Sequence, residues 1–383
     1  MKCEKLFEVI DSLNEEYLNF LIDVCNIESP TDFKEGVDRV GDYFANKAIE
    51  KGWIVEKQKQ AVSGDVVCIT MNPDAVGEPV CFSGHMDTVH PVGSFGAVPV
   101  RCDDENIYGP GVLDCKGGLV ASFMAMDALE RCGFKARPVK LLLQSDEENG
   151  SRNSNKSTIR YIGERALGCI AFLNTEPGCI AEHVVSTKGI CKFRFEITGK
   201  SEHSAACNNG ASAICEAAHK IVELEKYKDP AYITCNCGLI KGGSAENTVP
   251  EFCTFTADFR FKTGEEKETI MKIVDKIANT TFIHGTSCKV VLVSSRTAMV
   301  RTEKNLLLFD KVKKIYKSNG LGDITMFDSV GGTDAADITE MGIPCLEAFG
   351  LIGDNVHKLN ECARLYSLPL AAKRLASVAY CIE

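Results

Sequence analysis

The 383-residue sequence predicts an α/β fold with a second domain inserted into the first. Two observations lead to this prediction. Short apolar runs of the length of buried strands alternate with segments of helical periodicity, before residue 186 and again after residue 296. Between them the predicted order is βαββαβ, which is typical of a compact ferredoxin-like domain. We therefore predict a first domain of residues 1–185 and 297–383, interrupted by an inserted domain of residues 186–296.

The first domain begins with two predicted helices. Apolar residues recur at helical spacing from Leu6 to Leu13. A second helix is expected to start at Asp32, whose side chain can cap it, with Glu35 three residues later as in a capping box. The elements expected next are strands 53–56, 66–71, 80–82, 141–143 and 170–173, and a helix over 118–129.

The inserted domain carries clear strand signals. In residues 252–261, Phe255 and Phe259 alternate with polar residues, as in a strand with one buried face. The elements expected in the insertion are strands 191–198, 231–240, 252–261 and 287–294, and helices 211–225 and 268–279. After it we expect a helix over 306–316, a strand near 342–347 and a closing helix over 369–380.

Charge and composition exclude several classes of protein. Hydrophobic residues make up 45% and charged residues 25% of the chain, as in an ordinary globular protein. The net charge of −10 repels nucleic acid and anionic membranes, so we expect neither as a partner. The sequence contains no uncharged apolar run of about 18 residues and no signal-peptide core at its start. We therefore expect a cytoplasmic protein.

The chain contains 19 cysteines, an odd number, scattered mostly within predicted strands and helices. Buried cysteine behaves as a small hydrophobic residue, so we expect reduced structural thiols. Cys235 and Cys237 form a Cys-x-Cys pair, but structural zinc sites usually use two Cys-x-x-Cys pairs, and the sequence has none. We therefore expect no cysteine zinc site.

Metal-binding residue types follow three of the predicted strands. In chain order they are His85 with Asp87, the run Asp146-Glu147-Glu148, and Glu176. Ligands of open α/β sheets gather at the carboxyl ends of strands, so we expect these side chains to converge on a metal. His85 and Asp87 point to the same side of a strand, so the imidazole can bind metal while the carboxylate orients it. A turn or capping role is the alternative for each residue taken alone.

A glycine-rich segment, residues 108–118, supplies another carboxylate. Its glycines allow the backbone to approach a ligand closely, and Asp114 precedes the predicted helix. Helix capping is the alternative role for Asp114. The adjacent carboxylates Asp146-Glu147-Glu148 cost stability unless cations compensate them, and a solvated acidic turn is the alternative there.

Together these motifs resemble one known family. The motifs are His85-Met86-Asp87, Gly109-Pro110-Gly111, Asp114-Cys115-Lys116-Gly117-Gly118, Asp146-Glu147-Glu148, Thr175-Glu176-Pro177, Gly199 with His203-Ser204, Gly331-Gly332-Thr333-Asp334-Ala335, and His357. Their order and spacing are similar to those of the co-catalytic zinc peptidases, which include aminoacylase, succinyl-diaminopimelate desuccinylase, peptidase T and bacterial glutamate carboxypeptidase. The resemblance implies a catalytic domain with a mixed sheet flanked by helices and an inserted lid and dimerisation domain.

The resemblance also implies two zinc ions in each subunit. Asp114 would bridge them. His85 and Glu176 would complete one metal site. Glu148 and His357 would complete the other. Carboxylates and neutral imidazoles suit Zn²⁺, and Co²⁺ or Mn²⁺ could substitute because carboxylate-rich sites discriminate poorly between these metals.

Further catalytic roles are implied for residues next to the ligands. Glu147 would be the general base that takes a proton from the attacking water and later gives it to the leaving amine. Asp87 would hold His85 in position. In the family the peptide bond after the bridging aspartate is cis, which makes the Asp114–Cys115 bond a candidate for that geometry.

Residues of the inserted domain are implied in substrate binding. His203 matches a histidine that reaches across a homodimer to stabilise the oxyanion in the partner's site, and a surface histidine in a turn is the alternative. Arg260 projects from the polar face of a strand where relatives grip the substrate carboxylate, and a merely solubilising arginine is the alternative. Asn247 of the inserted domain, and Gly332 and Thr333 of the first domain, match other substrate-facing positions.

These implications together predict a hydrolase that cleaves a peptide or N-acyl amide bond next to a free carboxylate. The stretch 331–357 is most similar to the glutamate carboxypeptidase branch, which favours an exopeptidase releasing a C-terminal amino acid. An aminoacylase-like deacylase or a dipeptidase is the alternative, since it would use the same metals and differ only in pocket shape. A metal-binding interaction protein without catalysis is disfavoured, because the ligand and base positions all carry competent residues.

Overall fold

The computed structural model describes residues 3–229 and 231–383. The chain divides into two compact units. The first unit contains the described residues up to Ser186, together with Arg301–Asp328 and Thr333–Glu383. The second unit contains Thr187–Val300 and Ser329–Gly332. No helix among the described residues is both long enough and apolar enough to cross a membrane.

The helices of the described residues are α1 Glu4–Ser12, α2 Asn14–Asn26, α3 Lys34–Glu50, α4 Lys116–Arg131, α5 Ser157–Ala166, α6 Ala213–Glu225, α7 Gly264–Asn279, α8 Glu303–Ser318, α9 Ala335–Glu340 and α10 Ser367–Cys381. The strands are β1 Ile54–Gln58, β2 Val66–Met71, β3 Val80–His85, β4 Arg101–Cys102, β5 Asn106–Tyr108, β6 Val139–Gln144, β7 Ala171–Asn174, β8 Glu182–Thr187, β9 Gly189–Thr198, β10 Thr234–Gly242, β11 Phe252–Phe261, β12 Ser287–Arg296, β13 Thr325–Ser329, β14 Cys345–Leu346, β15 Gly353–Asp354 and β16 Cys362–Arg364. A short 3₁₀ helix spans Ser204–Asn209.

The first unit is built on a six-stranded sheet with the order β1-β2-β6-β3-β7-β14. The β6, β3, β7 and β14 strands run parallel, whereas β1 pairs antiparallel with β2 and β2 pairs antiparallel with β6. This mixed sheet confirms the predicted α/β class. The register places His85 opposite Gln144 and Ser83 opposite Asn174. The carboxyl ends of β3, β6 and β7 therefore lie side by side, and their loops meet.

Helix α4 anchors this end of the sheet. Every residue of α4 from Lys116 to Leu129 is buried, and the helix packs against β3. Its first turn needs glycine because a Cβ at Gly118 would lie 2.1 Å from the backbone oxygen of Thr175. Since Thr175 directly follows β7, this close contact fixes the start of α4, and Asp114 before it, against the sheet end.

A small four-stranded sheet in the first unit has the order β15-β16-β5-β4. It pairs Cys362 with Tyr108 and Ala363 with Ile107. The hairpin between β15 and β16, which contains His357, is thereby held beside the segment that leads to Asp114. The sequence did not predict this sheet, because strands of two or three residues leave no hydrophobic periodicity.

The second unit has the element order β9-α6-β10-β11-α7-β12, the βαββαβ order predicted from the sequence. Its antiparallel sheet has the strand order β10-β11-β9-β12. Alternate residues of β11 are buried, as predicted, and the ring of Phe255 stacks on that of Phe195 with centroids 4.5 Å apart. Helices α6 and α7 contribute Ala217 and Ile273 to the same core.

Several predicted boundaries differ from the structure, among them the start of one helix and the end of the inserted domain. The helix expected to start at Asp32 starts at Lys34, and no side chain caps its first turn. Asp32 instead accepts a hydrogen bond from the side chain of Asn153 at 2.8 Å. The second unit extends to Val300, beyond the predicted residue 296, because the backbone N–H of Thr187 donates to the backbone oxygen of Met299 at 3.0 Å.

Candidate metal centre

His85 ends strand β3 with a buried imidazole ring. Its Nδ1 lies 2.9 Å from the backbone oxygen of Asp87, which fixes the proton on Nδ1 in the neutral ring. The free Nε2 lies 3.1 Å from Oδ1 of Asp114 and 3.7 Å from Oε1 of Glu176. One imidazole nitrogen and two carboxylates therefore converge, with the imidazole in the tautomer that can bind a metal.

His357 forms a second group of the same kind. Its Nε2 lies 3.0 Å from Oδ2 of Asp114 and 3.2 Å from Oε2 of Glu148. The backbone of His357 has a φ of 63°, a left-handed conformation that is uncommon for residues other than glycine and is often found at functional sites.

Asp114 lies between the two histidines, with one carboxylate oxygen directed to each. The peptide bond between Asp114 and Cys115 is cis, which confirms that prediction. Two neighbouring groups of ligand type that share one carboxylate are the arrangement expected of a two-metal site.

The carboxylate of Asp87 holds other residues of the site in position. It is completely buried, and its Oδ1 and Oδ2 accept the backbone N–H groups of Glu147 and Glu148, each at 3.1 Å. Its Oδ2 also accepts the hydroxyl of Thr31 at 2.7 Å. Burial opposes ionisation, but hydrogen bonds, the strongest from His85, hold the pKa of Asp87 below its ordinary value. This one carboxylate therefore positions both an imidazole and the acidic loop after β6.

The carboxylates of the site are crowded. Burial, together with the charges of Asp114 and Glu147, raises the pKa of Glu148 to about 7 and that of Glu176 well above its ordinary value. Glu147, which is itself buried, therefore lies close to both glutamates. So many acidic groups in a buried space favour cations.

The same carboxylates also shift the pKa values of the two histidines. Hydrogen bonds that the ring of His357 donates to Asp114 and Glu148 raise the pKa of His357 to about 10. Burial disfavours protonated His85, yet the charge of Glu176 and hydrogen bonds to Asp114 and Asp87 raise its pKa well above the ordinary value. The nitrogen and oxygen donors of the site fit a divalent metal such as Zn²⁺, which would take the place of these protons.

Cys115 also lies within 4.8 Å of the ligand-type atoms of His85 and Glu176. Its thiol donates a hydrogen bond to the backbone oxygen of Thr175 at 3.0 Å, and burial raises its pKa well above the ordinary value. Cys115 is therefore held as a neutral thiol facing the backbone.

Glu361 is a residue of the site that sequence analysis missed. Its buried Oε1 accepts the backbone N–H groups of Leu113 at 2.9 Å and of Asp114 at 3.1 Å. Burial raises the pKa of Glu361 to about 8. Its position four residues after His357 was the one available signal. Glu361 links the two loops that carry Asp114 and His357.

Replacement of Glu361 by Ala is expected to weaken metal binding about 10- to 100-fold, since residues that position ligands contribute this much. It leaves two buried N–H groups without their acceptor, which also lowers the melting temperature. Glu361→Gln keeps a carbonyl acceptor and should retain most of the affinity. Titration with a buffered metal measures both effects.

Exposed Glu340 at the end of α9 provides the control for this prediction. Glu340→Ala should leave metal affinity unchanged. Equal metal affinity in Glu361→Ala and the parent protein would contradict a positioning role for Glu361.

The predicted substrate-binding residues lie in both units. In the first unit, the hydroxyl of Thr333 donates to Oε2 of Glu347 at 2.8 Å, and the charge of Glu347 in turn raises the pKa of Glu176. In the second unit, the backbone oxygen of Gly332 accepts a hydrogen bond from Arg296 at 2.9 Å. The remaining predicted residues, His203, Asn247 and Arg260, also belong to the second unit.

His203 and Asn247 are neighbours in the second unit. Both are exposed, and the backbone oxygen of Asn247 accepts the N–H of Ser204 at 2.9 Å. The Nδ1 of His203 accepts the N–H of Ala205 at 3.2 Å, so the neutral ring carries its proton on Nε2. His203 can therefore offer a hydrogen-bond donor at the surface.

Arg260 is already paired within its own strand. Its Nε lies 2.7 Å from Oδ1 of Asp258 and its Nη2 lies 3.3 Å from Oδ2 of the same residue. Sequence analysis placed both residues on the polar face but did not anticipate the pair. A substrate carboxylate would have to share the guanidinium with Asp258 or displace it.

A second group of potential metal ligands lies in the second unit. The side chains of Glu225, Cys235 and Cys237 come within 4.8 Å of one another. Oε1 of Glu225 accepts the backbone N–H of Cys237 at 2.8 Å, where the register of β10 is irregular. Sequence analysis considered the two cysteines but did not foresee that Glu225 would join them.

Comparison with known proteins places these features in one family. The model of peptidase family M20/M25/M40 matches residues 81–380. The chain is 29% identical over 360 residues to carboxypeptidase G2 of Pseudomonas sp. (strain RS-16), covering 92% of this chain and 85% of that protein. It is 24% identical over 379 residues to a succinyl-diaminopimelate desuccinylase of Rickettsia felis, covering 92% and 96% of the two chains.

Solved structures agree in fold. A tripeptidase from Staphylococcus aureus superposes with a TM-score of 0.79 at 22% identity, covering 96% of this chain and 98% of that one. The family match extends over most of the chain and includes all five predicted metal ligands. The protein is therefore a member of peptidase family M20/M25/M40, a metal-dependent hydrolase of peptide or acyl amide bonds.

Proposed function

We propose that the protein is a two-zinc exopeptidase that releases a C-terminal amino acid from a small peptide or an N-acyl amino acid. One observation carries the two-metal part of the proposal. The two carboxylate oxygens of Asp114 face different imidazoles, Oδ1 that of His85 and Oδ2 that of His357. Glu176 and Glu148 each add a carboxylate to one of these pairs.

In this proposal His85, Glu176 and Asp114 hold one Zn²⁺, and His357, Glu148 and Asp114 hold the other. When bound, the metals supply Lewis-acid activation of the attacking water and of the scissile carbonyl. Co²⁺ or Mn²⁺ can take their place, because the donors are carboxylates and imidazoles.

Glu147 is proposed as the general base. Its carboxylate takes the proton of the attacking water and delivers it to the nitrogen of the leaving amine. Two features support this role. Glu147 is buried near both Glu148 and Glu176, and Asp87 fixes its backbone N–H at 3.1 Å.

The second unit is proposed to bind substrate and to form a homodimer. His203 of one subunit would donate Nε2–H to the oxyanion in the partner's site, and its exposed ring supports this role. Asn247, its neighbour, would contact the substrate together with Gly332 and Thr333. Arg260 would bind the free carboxylate in competition with Asp258.

We also propose a cytoplasmic location. The seventeen cysteines other than Cys3 and Cys381 are free thiols, which fits a reducing compartment. If thiols are alkylated in intact cells and the alkyl groups on the denatured protein are counted by mass spectrometry, each disulfide would lower the count by two from nineteen.

Incubation of the zinc-loaded protein with a mixed library of dipeptides and N-acyl amino acids tests the proposed activity. We expect release of one class of C-terminal amino acid, detected by mass spectrometry, because the chain would bind a free carboxylate beside the scissile bond. Treatment with a chelator should reduce release to background, and added zinc should restore it.

Two outcomes would contradict this proposal. Release from acyl compounds alone would indicate a deacylase rather than an exopeptidase. No release from any compound, with both metals bound, would leave a metal-binding protein without hydrolytic activity on this class of substrate.

A further inference from the structure

A cavity of about 460 Å³ in the first unit borders the candidate metal centre. Glu148 and Asn149 form one wall of this cavity, and the segments around Phe33 and Val89 form the rest. Because Glu148 is one of the proposed metal ligands, a group that occupies the cavity would lie beside the proposed metal centre. Apart from Glu148, no residue that lines the cavity has a role in the mechanism proposed above.

The cavity is preformed. The backbone N–H of Thr31 donates to the oxygen of Thr88 at 3.1 Å, and the N–H of Thr88 donates to the oxygen of Ser29 at 2.9 Å. These bonds join the two segments that line the cavity, and the hydroxyl of Thr31 is tied to Asp87 at 2.7 Å. Ligand sites of this size are usually formed before the ligand arrives.

The lining is apolar and lacks cations. Phe33, Val89 and Val92 lie on its walls, and the two valines are 39% and 56% exposed, so apolar surface remains open. Among the described residues that line the cavity, none is Lys or Arg, whereas Asp32 and Glu148 are acidic. The side chains that line the cavity therefore offer no cation to an anionic group, and the charge of Asp32 opposes its entry.

One polar group in the wall is without a partner. The Oδ1 of Asn149 accepts the N–H of Arg152 at 2.8 Å, which fixes the orientation of the amide. Its buried Nδ2 has no hydrogen-bond acceptor among the described residues. A buried donor without an acceptor is costly, so a small shift of the amide toward the cavity, to a neutral acceptor such as a carbonyl oxygen on a bound molecule, would satisfy it.

We propose that this cavity is a specificity pocket for an uncharged, apolar group on the acyl side of the scissile bond, with Asn149 donating to a carbonyl oxygen. The assignment to the acyl side rests on the proposed function, in which the free carboxylate is bound by residues of the second unit. The pocket selects against dicarboxylic acyl groups such as succinyl. Among the substrate classes of the relatives, the pocket therefore favours peptides and apolar acyl compounds.

Calorimetric titration with two nearly isosteric compounds, N-pentanoyl and N-succinyl derivatives of one amino acid, tests the pocket. The zinc-loaded Glu147→Gln protein is used, so that neither compound is consumed. We expect the pentanoyl compound to bind at least about tenfold more tightly, the discrimination available from a small apolar group. Val92→Arg, added to this protein, should place a cation in the pocket and reduce or reverse that ratio by at least about tenfold.

Val98→Arg is the matched control, since Val98 lies in the same loop, is 73% exposed and does not line the cavity. It should leave the affinity ratio unchanged. If Val92→Arg fails to fold, Val89→Lys places a cation on the neighbouring wall. Equal affinity for both compounds, or equal effects of Val92→Arg and Val98→Arg, would overturn the proposal.

Hydrolysis by the wild-type protein separates this inference from the function on which it rests. Absence of hydrolysis of both compounds would remove the proposed activity, while the affinity ratio would still decide whether the pocket selects uncharged groups. Hydrolysis of both compounds without the expected affinity ratio would support the proposed activity and contradict the proposed role of the cavity.

Discussion

Glu147→Gln is expected to lower kcat about 100- to 10,000-fold, the contribution typical of a general base, without changing the bound metal. Gln has the same shape but cannot accept the proton of the attacking water. None of the atoms proposed to hold metal belongs to Glu147, so both ions should stay. Steady-state kinetics and elemental analysis of the same preparation measure the two effects.

An exposed glutamate of the first unit provides the control. Glu340→Gln should leave both kcat and metal content unchanged, since Glu340 lies at the surface at the end of α9. Normal turnover in Glu147→Gln would show that Glu147 is not the general base. Loss of metal in parallel with activity would instead make it a ligand.

The same variant tests the proposed homodimer. In a dimer whose sites borrow His203 from the partner, subunit exchange between Glu147→Gln and His203→Ala proteins restores one complete site in each mixed dimer. About a quarter of wild-type activity should return, because half of the dimers are mixed and one of their two sites is complete. No recovery after demonstrated exchange would contradict catalysis across the dimer.

Asp114→Asn is expected to lower the metal content from two ions per chain to one or fewer. Replacing one carboxylate oxygen by an amide nitrogen removes the charge and one of the two oxygens that face His85 and His357. Lewis-acid activation is worth several kcal/mol and 1.36 kcal/mol is tenfold in rate, so kcat/KM should fall about 1,000-fold or more. Elemental analysis after removal of free metal gives the stoichiometry.

Asp310→Asn, on the exposed side of α8, is the matched control and should keep full metal content and activity. Two ions per chain in the Asp114→Asn protein would contradict a bridging role for Asp114. Circular dichroism distinguishes a variant that only loses metal from one that also unfolds. Loss of metal alone should leave the spectrum unchanged, whereas unfolding of the first unit should leave only the signal of the second unit, which has its own core.

Much of the fold could be predicted because hydrophobic patterns are strong where strands are long. Strand β11 matches its predicted range, since one face of the strand is buried and the other is not. The apolar runs of β3 and β7 are buried on both faces, whereas the mixed character of the sheet was expected only from the family resemblance. Strands of two or three residues, such as β15, gave no signal, although their pairing positions the hairpin of His357.

The candidate site could be predicted only in part, for a related reason. The carboxyl ends of adjacent parallel strands must meet, so residues such as His85 and Glu176 converge wherever such strands form. Glu361 could not be predicted in the same way, because its contact with the backbone of Asp114 depends on the pairing of β16 with β5. The pairing of Arg260 with Asp258 depends on rotamers, which sequence alone does not give.

Anomalous diffraction at the zinc absorption edge, from crystals of the zinc-loaded protein, tests the two-metal centre most directly. We expect two peaks about 3.5 to 4 Å apart, with the carboxylate of Asp114 between them. One peak should lie beside His85 and the other beside His357. A single peak in this centre, or zinc bound instead at Cys235 and Cys237, would contradict the proposed arrangement.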